Sequence, residues 1–181
     1  MSAKMKRGQT GMVGGPLQAN IFPTVDVAAN LIKKAKRPLF VVGSKATEQK
    51  TKDGDIIDSA IRAMKNKKLT VVATGHLVGE FRKRGVEDAN SMPLIVLGKY
   101  LSDSEWKGFD GEGQYDTAVF VGYPYYMEWL VESGLKNFTK LRTISLDRTF
   151  QPNAQWSLGW MPEPDWIEAL DKIVSSLEEE A

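Results

Sequence analysis

The sequence contains no cysteine and only one histidine, His76. Thiolate-bound zinc, iron–sulfur clusters and a cysteine nucleophile are therefore excluded on this chain, because all of them need thiolates. A lone histidine without a second one nearby is more often a helix cap or a local hydrogen-bonding group than a metal ligand or a general base. We predict no metal site and no catalytic residue, so any redox chemistry around this protein belongs to another chain.

The chain also lacks an excess of charge of either sign, with 24 basic and 23 acidic residues and a net charge of +1. Such a balance supplies no field that would attract nucleic acid or an anionic membrane. No apolar run approaches the roughly 20 residues of a membrane span, and the N-terminus has no apolar core of signal-peptide length. We therefore expect a cytoplasmic protein that neither binds nucleic acid nor inserts into a membrane.

A chain of 181 residues has the size of one ordinary domain. Residues 1–23 are rich in Gly, Lys and polar side chains without a helical or strand period, so we predict an extended arm with Leu17, Ile21 and Phe22 as possible anchors. Residues 24–181 alternate short apolar runs with helical patterns, and such runs are typical of strands buried on both faces. The predicted strands are LFVVG (39–43), LTVVATG (69–75), PLIVLG (93–98), TAVFVG (117–122) and LRTISLD (141–147).

Helical patterns separate the predicted strands. The first begins at Thr24, a good N-cap, and ends in the basic residues 33–37, where cations suit a helix end better than they indicate an anion site. The other predicted helices are 53–66, 76–84, 125–138 and 163–180, while 99–116 is predicted as a half-formed helix followed by a surface loop. The alternation predicts a single three-layer α/β domain, with a doubly wound, Rossmann-like parallel sheet and helices on both faces.

Candidate ligand-binding residues follow the predicted strands, because such sheets bind ligands beyond the carboxyl ends of their strands. These candidates are Gly43, Ser44, Lys45, Gly75, His76, Gly122, Tyr123 and Asp147. Backbone amides beside the glycines can receive a phosphate, and Asp147 can accept a hydrogen bond from a ribose hydroxyl. Glycine also suits any tight turn after a strand, and no dinucleotide or P-loop pattern is present, so a nucleotide site and a structural turn both remain open.

The predicted loop at 150–164 carries two tryptophans, Trp156 and Trp160. Exposed aromatic side chains anchor many protein interfaces, which favours a partner surface. The alternative is a loop that folds back over the core. The sequence leaves both alternatives open.

The stretch AKRPLFVVGSKA (35–46) resembles the FAD/NAD-binding-like central domain of thiamine-diphosphate enzymes. Together with the stretches at 12–44, VATGHLVGEF (72–81) and GWMPEPDWIEALDKIV (159–174), it resembles the epsilon-subunit family of the archaeal acetyl-CoA decarbonylase/synthase complex. This second resemblance covers nearly the whole chain.

The epsilon resemblance implies a non-catalytic accessory subunit with no independent activity. It would bind and stabilise the nickel–iron–sulfur alpha subunit in the alpha2epsilon2 carbon monoxide dehydrogenase component, which serves reversible acetyl-CoA cleavage and synthesis in methanogens and related archaea. A second epsilon chain is the other partner that the resemblance suggests.

A flavin-binding electron-transfer subunit is the alternative function. It would mediate electron transfer from the carbon monoxide dehydrogenase clusters, although no tightly bound cofactor is otherwise expected. The resemblance to flavin-binding domains maps an FAD onto the candidate residues named above, Gly43, Ser44, Lys45, Gly75, His76, Gly122, Tyr123 and Asp147.

Overall fold

The computed structural model describes residues 18–87 and 89–178. Its elements follow the chain as β1 (Asn20–Ile21), α1 (Val25–Lys33), β2 (Pro38–Val42), β3 (Lys50–Thr51), β4 (Gly54–Asp55), α2 (Ile56–Ala63), β5 (Thr70–Ala73), a 3-10 turn (Gly75–Leu77), α3 (Val78–Lys83), β6 (Asn90–Ser91), α4 (Leu94–Ser102), β7 (Thr117–Val121), α5 (Tyr125–Phe138), β8 (Arg142–Ser145), β9 (Trp156–Ser157) and α6 (Glu163–Glu178). In this described part of the chain, no helix has the length and apolar character needed to cross a bilayer.

Seven strands form one parallel sheet in the order β1-β9-β8-β7-β2-β5-β6, and β3 pairs with β4 in a separate antiparallel ribbon. Side chains along the central strand β2 alternate between two cores. Phe40 and Val42 face one helical layer, whereas Leu39 and Val41 face the other. The predicted three-layer, Rossmann-like α/β fold is therefore confirmed, while the likeness to the thiamine-diphosphate enzyme domain stays a prediction.

The two helical layers differ in extent. Helices α1, α2, α3 and α6 pack against one face of the sheet, and α6 contacts both α1 and α2. Trp166 of α6 is fully buried, and its Nε1 donates to Leu146 O at 2.7 Å. On the other face the described residues supply α4 and α5, which contact each other. The outer sides of these two helices are not covered by a further helix of the described chain.

The prediction of a strand at 93–98 is wrong, because PLIVLG begins helix α4 after Pro93. The buried side of this helix has the spacing i, i+3, i+7, at Leu94, Leu97 and Leu101. A short apolar run cannot be assigned to strand or helix by itself when both are buried. The strand of this region is the shorter β6, which pairs with β5 just before the run.

The N-terminal edge of the described chain joins the sheet. β1 pairs with β9, and Phe22 is fully buried with its ring stacked on Trp156 at a centroid distance of 5.0 Å. Phe150 and Leu158 are also buried, so the segment 150–164 folds back over the core, which was one of its two open alternatives. The predicted anchor Leu17 lies outside the described residues.

The basic residues that follow α1 bind the loop after α4. Arg37 Nη2 donates to Asp110 Oδ1 at 2.6 Å and to Gly113 O at 3.2 Å, and the Asp116 carboxylate accepts from the Lys36 and Arg37 amides. These bonds hold the irregular loop that follows α4. Thr24 caps α1 as predicted, since its Oγ1 accepts from Val27 N.

Candidate functional site

The carboxyl ends of β2 and β7 touch each other at the centre of the sheet, where the strand order switches. Gly43 N donates to Val121 O at 2.8 Å, and Lys45 N donates to Gly122 O at 2.7 Å. A Cβ atom on Gly43 would lie 2.3 Å from Gly122 O, and Gly122 has a φ of +78°. Both glycines are thus needed for this backbone contact. The amides of Gly43 and Lys45, which a phosphate would need as donors, already donate to protein oxygens.

The other predicted residues of β2 and β5 lie at the same edge of the sheet. Ser44 is half-buried, and Lys45 Nζ donates to Glu48 Oε2 at 2.8 Å. Gly75 and His76 are exposed in the 3-10 turn after β5. The assignment of these residues to an FAD site stays a prediction, which a flavin titration of the purified protein tests.

Asp147 and Tyr123 are buried where β8 and β7 end. Asp147 Oδ1 accepts from Gly122 N at 2.8 Å, which ties the loop after β8 to the turn after β7. Burial raises the pKa of Asp147, and the hydrogen bonds from the Gly122 and Tyr123 amides oppose that rise. The Tyr123 hydroxyl lies 3.5 Å from Thr74 Oγ1, and burial raises the pKa of Tyr123 to about 12.

Two glutamates of α5 join Asp147 in a buried group that we term the carboxyl cluster, Glu128, Glu132 and Asp147. Glu128 is 1% exposed and Glu132 is 0% exposed. A side-chain hydrogen bond between Glu128 and Asp147 adds to the rise in the pKa of Glu128 and opposes the rise in the pKa of Asp147, while burial is the main cause of both rises. Burial and, after it, the neighbouring charge of Asp147 raise the pKa of both glutamates well above its ordinary range.

A small cavity opens beside this cluster, between the N-terminus of α5 and the loop after β8. Its volume is about 130 Å³. The wall consists of Gln49, Tyr123, Tyr125, Glu128, Asp147, Arg148 and Thr149. Three oxygens of these side chains are buried without a hydrogen-bond partner among the described residues: Gln49 Oε1, the Tyr125 hydroxyl and Glu128 Oε1. The Arg148 guanidinium, in contrast, donates to Glu163 at 3.0 Å.

A second candidate site is the outer surface of the two-helix layer, which we term the α4–α5 face. It consists of six exposed apolar side chains, Ile95, Val96, Tyr100, Tyr126, Leu130 and Phe138. Phe138 is 82% exposed and Leu130 is 58% exposed. A groove of about 270 Å³ runs between the helices, and Ile95 and Leu130 both line it. The described residues include no group of three or more acidic or histidine side chains arranged to hold a metal ion.

Comparison with known proteins assigns the chain to a family. The family described as "CO dehydrogenase beta subunit/acetyl-CoA synthase epsilon subunit" matches residues 9–174. The chain belongs to this family. The epsilon-family resemblance predicted from the stretches at 12–44, 72–81 and 159–174 is therefore confirmed.

Individual relatives carry the same assignment over most of their length. Acetyl-CoA decarbonylase/synthase complex subunit epsilon 1 of Methanosarcina barkeri is 36% identical over 152 residues, which are 84% of this chain and 86% of that protein. The epsilon subunit of Methanothermobacter thermautotrophicus is 32% identical over 166 residues, 91% of this chain and 92% of the relative. The epsilon subunit of Methanothrix soehngenii is 31% identical, and the match covers 98% of this chain and 99% of that relative.

Sequence reasoning missed Glu128 and Glu132, although a signal was present. In the predicted helix 125–138 these acids are four residues apart, each directly after a residue of the apolar stripe at Met127 and Val131. Residues that follow a stripe lie about 100° around the helix from it, at the border of the buried side. The pattern does not tell whether such a border is exposed. Here the loop 147–153 covers it, with Gln151 Nε2 donating to Tyr125 O at 3.3 Å and Asn153 Nδ2 to Trp129 O at 3.0 Å.

Proposed function

We propose that this epsilon-family subunit acts as a non-catalytic accessory chain, which binds the nickel–iron–sulfur alpha subunit of carbon monoxide dehydrogenase and stabilises it. The names of the relatives describe a subunit of the acetyl-CoA decarbonylase/synthase complex, so a protein partner is expected. The observation that carries the proposal is the α4–α5 face, where Ile95 and Leu130 line one groove and further large apolar side chains of the two helices are exposed. Exposed apolar patches on soluble proteins often mark interaction sites.

The α4–α5 face has the anatomy of a binding surface. Its central groove is framed by Ile95 on one helix and Leu130 on the other, and the tyrosines Tyr100 and Tyr126 lie on the same two helices. Aromatic and large aliphatic side chains that enter a partner's pocket supply most of the binding energy of an interface. A partner bound to the folded form of alpha raises its stability by mass action, without any catalytic residue.

A Leu130→Asp variant tests this surface. It places a charge in the centre of the proposed interface while changing a side chain that contributes little to the core, so the variant is expected to fold normally. Affinity for purified alpha subunit is expected to fall by at least about 30-fold, which corresponds to the loss of one hot-spot residue. Isothermal titration calorimetry measures the affinity. The melting temperature of alpha, with and without a saturating amount of this chain, measures the stabilisation.

Val27→Asp is the matched control, because Val27 is an exposed apolar residue on the opposite layer, in α1. It is expected to bind alpha like the parent. Unchanged alpha binding by Leu130→Asp would assign the interface to another surface, and an unchanged melting temperature of alpha with the parent chain would contradict stabilisation. Sedimentation of the isolated chain completes the test: a dimer that Leu130→Asp dissociates would identify a second copy as the occupant of the face.

A further inference from the structure

We propose that the cavity beside the carboxyl cluster, which we term the carboxyl pocket, binds a guanidinium group such as an arginine side chain carries. The pocket lies at the carboxyl ends of β7 and β8, whereas the α4–α5 face lies on the outer side of the helices. This inference goes beyond the proposed function, because either site can exist without the other.

The charge of the pocket favours a cation. Glu128 and Asp147 both line it, and Glu132 is buried on the same helix. Three buried carboxyls in one cluster are costly, because each ionised form loses its hydration and repels the others. Protonation of a carboxyl is one way to relieve this cost. A bound cation relieves the same cost and leaves the carboxyls ionised.

The arrangement of acceptors favours a planar cation with many donors. Gln49 Oε1 lies in the loop after β2, whereas the Tyr125 hydroxyl and Glu128 Oε1 lie on α5. All three oxygens are buried, and none has a hydrogen-bond partner among the described residues. A guanidinium presents five N–H donors in one plane, whereas an ammonium presents three around a point. Tyr123 and Tyr125 add aromatic rings to the wall, and a guanidinium stacks favourably on such rings.

The volume of the carboxyl pocket and the orientation of Arg148 are both compatible with a bound guanidinium. Roughly 10–15 Å³ of such space admits one water molecule, so a cavity of about 130 Å³ accepts a group larger than water. Arg148 is part of the wall, but its guanidinium donates outward to Glu163. The chain's own arginine therefore leaves the acceptors of the pocket to a group from outside.

Methylguanidinium is the probe that tests the pocket. Its binding to the purified chain is followed by NMR shifts of the Gly122 and Tyr123 amides, at an ionic strength held constant with sodium chloride. We expect saturable binding that tightens as the pH rises, because the cation competes with the proton on the carboxyl cluster. Glu128→Gln is expected to weaken binding about tenfold or more, since it removes a charge-assisted hydrogen bond. Glu105→Gln, an exposed glutamate in the loop after α4, is the matched control and is expected to bind like the parent.

A second variant keeps the test decisive if Glu128→Gln fails to fold. Tyr125→Phe removes one acceptor at a half-buried position and retains the ring, so it is expected to fold and to bind more weakly. Binding of Nα-acetylarginine amide more tightly than free arginine would identify a protein side chain as the source of the group, and the reverse order would identify the free amino acid. No saturable binding by the parent, or equal binding by the parent and both pocket variants, would overturn the proposal.

Discussion

Replacement of Gly43 by alanine adds only one methyl group but is expected to destabilise the fold strongly. The added Cβ would lie 2.3 Å from Gly122 O and 2.5 Å from Tyr123 Cγ, both in the buried contact between β2 and β7. The central strands would have to separate, so we expect a loss of about 2–4 kcal/mol in the free energy of unfolding. Gly79→Ala is the control, because nothing lies within 4 Å of its added Cβ. Urea denaturation of both variants measures the difference, and equal midpoints would contradict the crowding.

Glu132 makes the stability of the free chain depend on pH. Its carboxyl is fully buried, and burial raises its pKa well above the ordinary value of 4.5. Because the folded-state pKa is raised, the folded chain keeps this proton to a higher pH than the unfolded chain does. The contribution of Glu132 to the free energy of unfolding is therefore fully present below about pH 4.5 and is lost as the pH rises through the folded pKa. The parent is therefore expected to lose stability across this range.

A Glu132→Gln variant is expected to show a smaller loss over the same range, because the amide does not titrate. Its buried amide has a cost that does not change with pH, so the slope of stability against pH is the measured quantity rather than any single value. Urea denaturation at several pH values between about 5 and 8 gives that slope. Parallel curves for the parent and the variant would show that the pKa of Glu132 is the same in the folded and the unfolded chain, which would contradict the raised pKa.

At the scale of elements, one arginine joins helices α2 and α6. Arg62 donates to Asp171 Oδ1 at 2.8 Å, to Glu178 Oε2 at 3.1 Å and to Ser175 Oγ at 2.7 Å, and it also pairs with Asp53. The hydrogen bond to Asp171 is the main cause that raises the pKa of Arg62 above its ordinary value. Because a single planar group serves several partners on the other helix, this network is more stabilising than an isolated surface pair.

An Arg62→Met variant is expected to lower the free energy of unfolding by about 1–3 kcal/mol, since it retains most of the packing of the stem and removes the charged bonds. Lys172→Met is the control, because its partner Asp26 forms one exposed pair at 2.8 Å and such pairs contribute little. High salt screens the charges, so it is expected to reduce the difference between the free energies of unfolding of the two variants. Equal destabilisation by both substitutions would mean that the Arg62 network acts as an ordinary surface pair.

The elements also show what the sequence could predict. Helix α5 matches the predicted bounds 125–138, because Pro124 precedes it and its apolar stripe has helical spacing throughout. Strands β2 and β7 were predictable from their continuous apolar runs. The run PLIVLG is equally apolar, but only the structure shows that Leu94, Leu97 and Leu101 lie on one buried side of a helix.

Among the candidate site residues, the sequence predicted that Gly43, Gly122 and Asp147 follow strands at one edge of the sheet. It could not predict that Gly122 N donates to Asp147, nor that Glu128 contacts the same carboxyl, because both contacts depend on how the loops after β7 and β8 cover α5. Such contacts between distant segments leave no local periodicity in the sequence.

At the scale of the whole molecule, the two helical layers differ in the chemistry of their outer surfaces. The side with α1, α2 and α6 has ion pairs between its helices, such as Lys172 with Asp26 and Arg62 with Asp171. The side with α4 and α5 has an apolar outer surface instead, including Leu130 and Phe138. This contrast supports the proposal that the partner binds at the α4–α5 face, which the Leu130→Asp variant tests.

The order of the strands has a consequence for the synthesis of the chain. The central strand β2 pairs first along the sequence with β5, but its other neighbour is β7, where Pro38 meets Thr117. A nascent chain on the ribosome that has not yet reached Thr117 therefore carries β2 with one backbone edge unpaired, and an unpaired apolar edge invites pairing with other chains. The most buried part of this protein can close only after more than half of the polypeptide has been made.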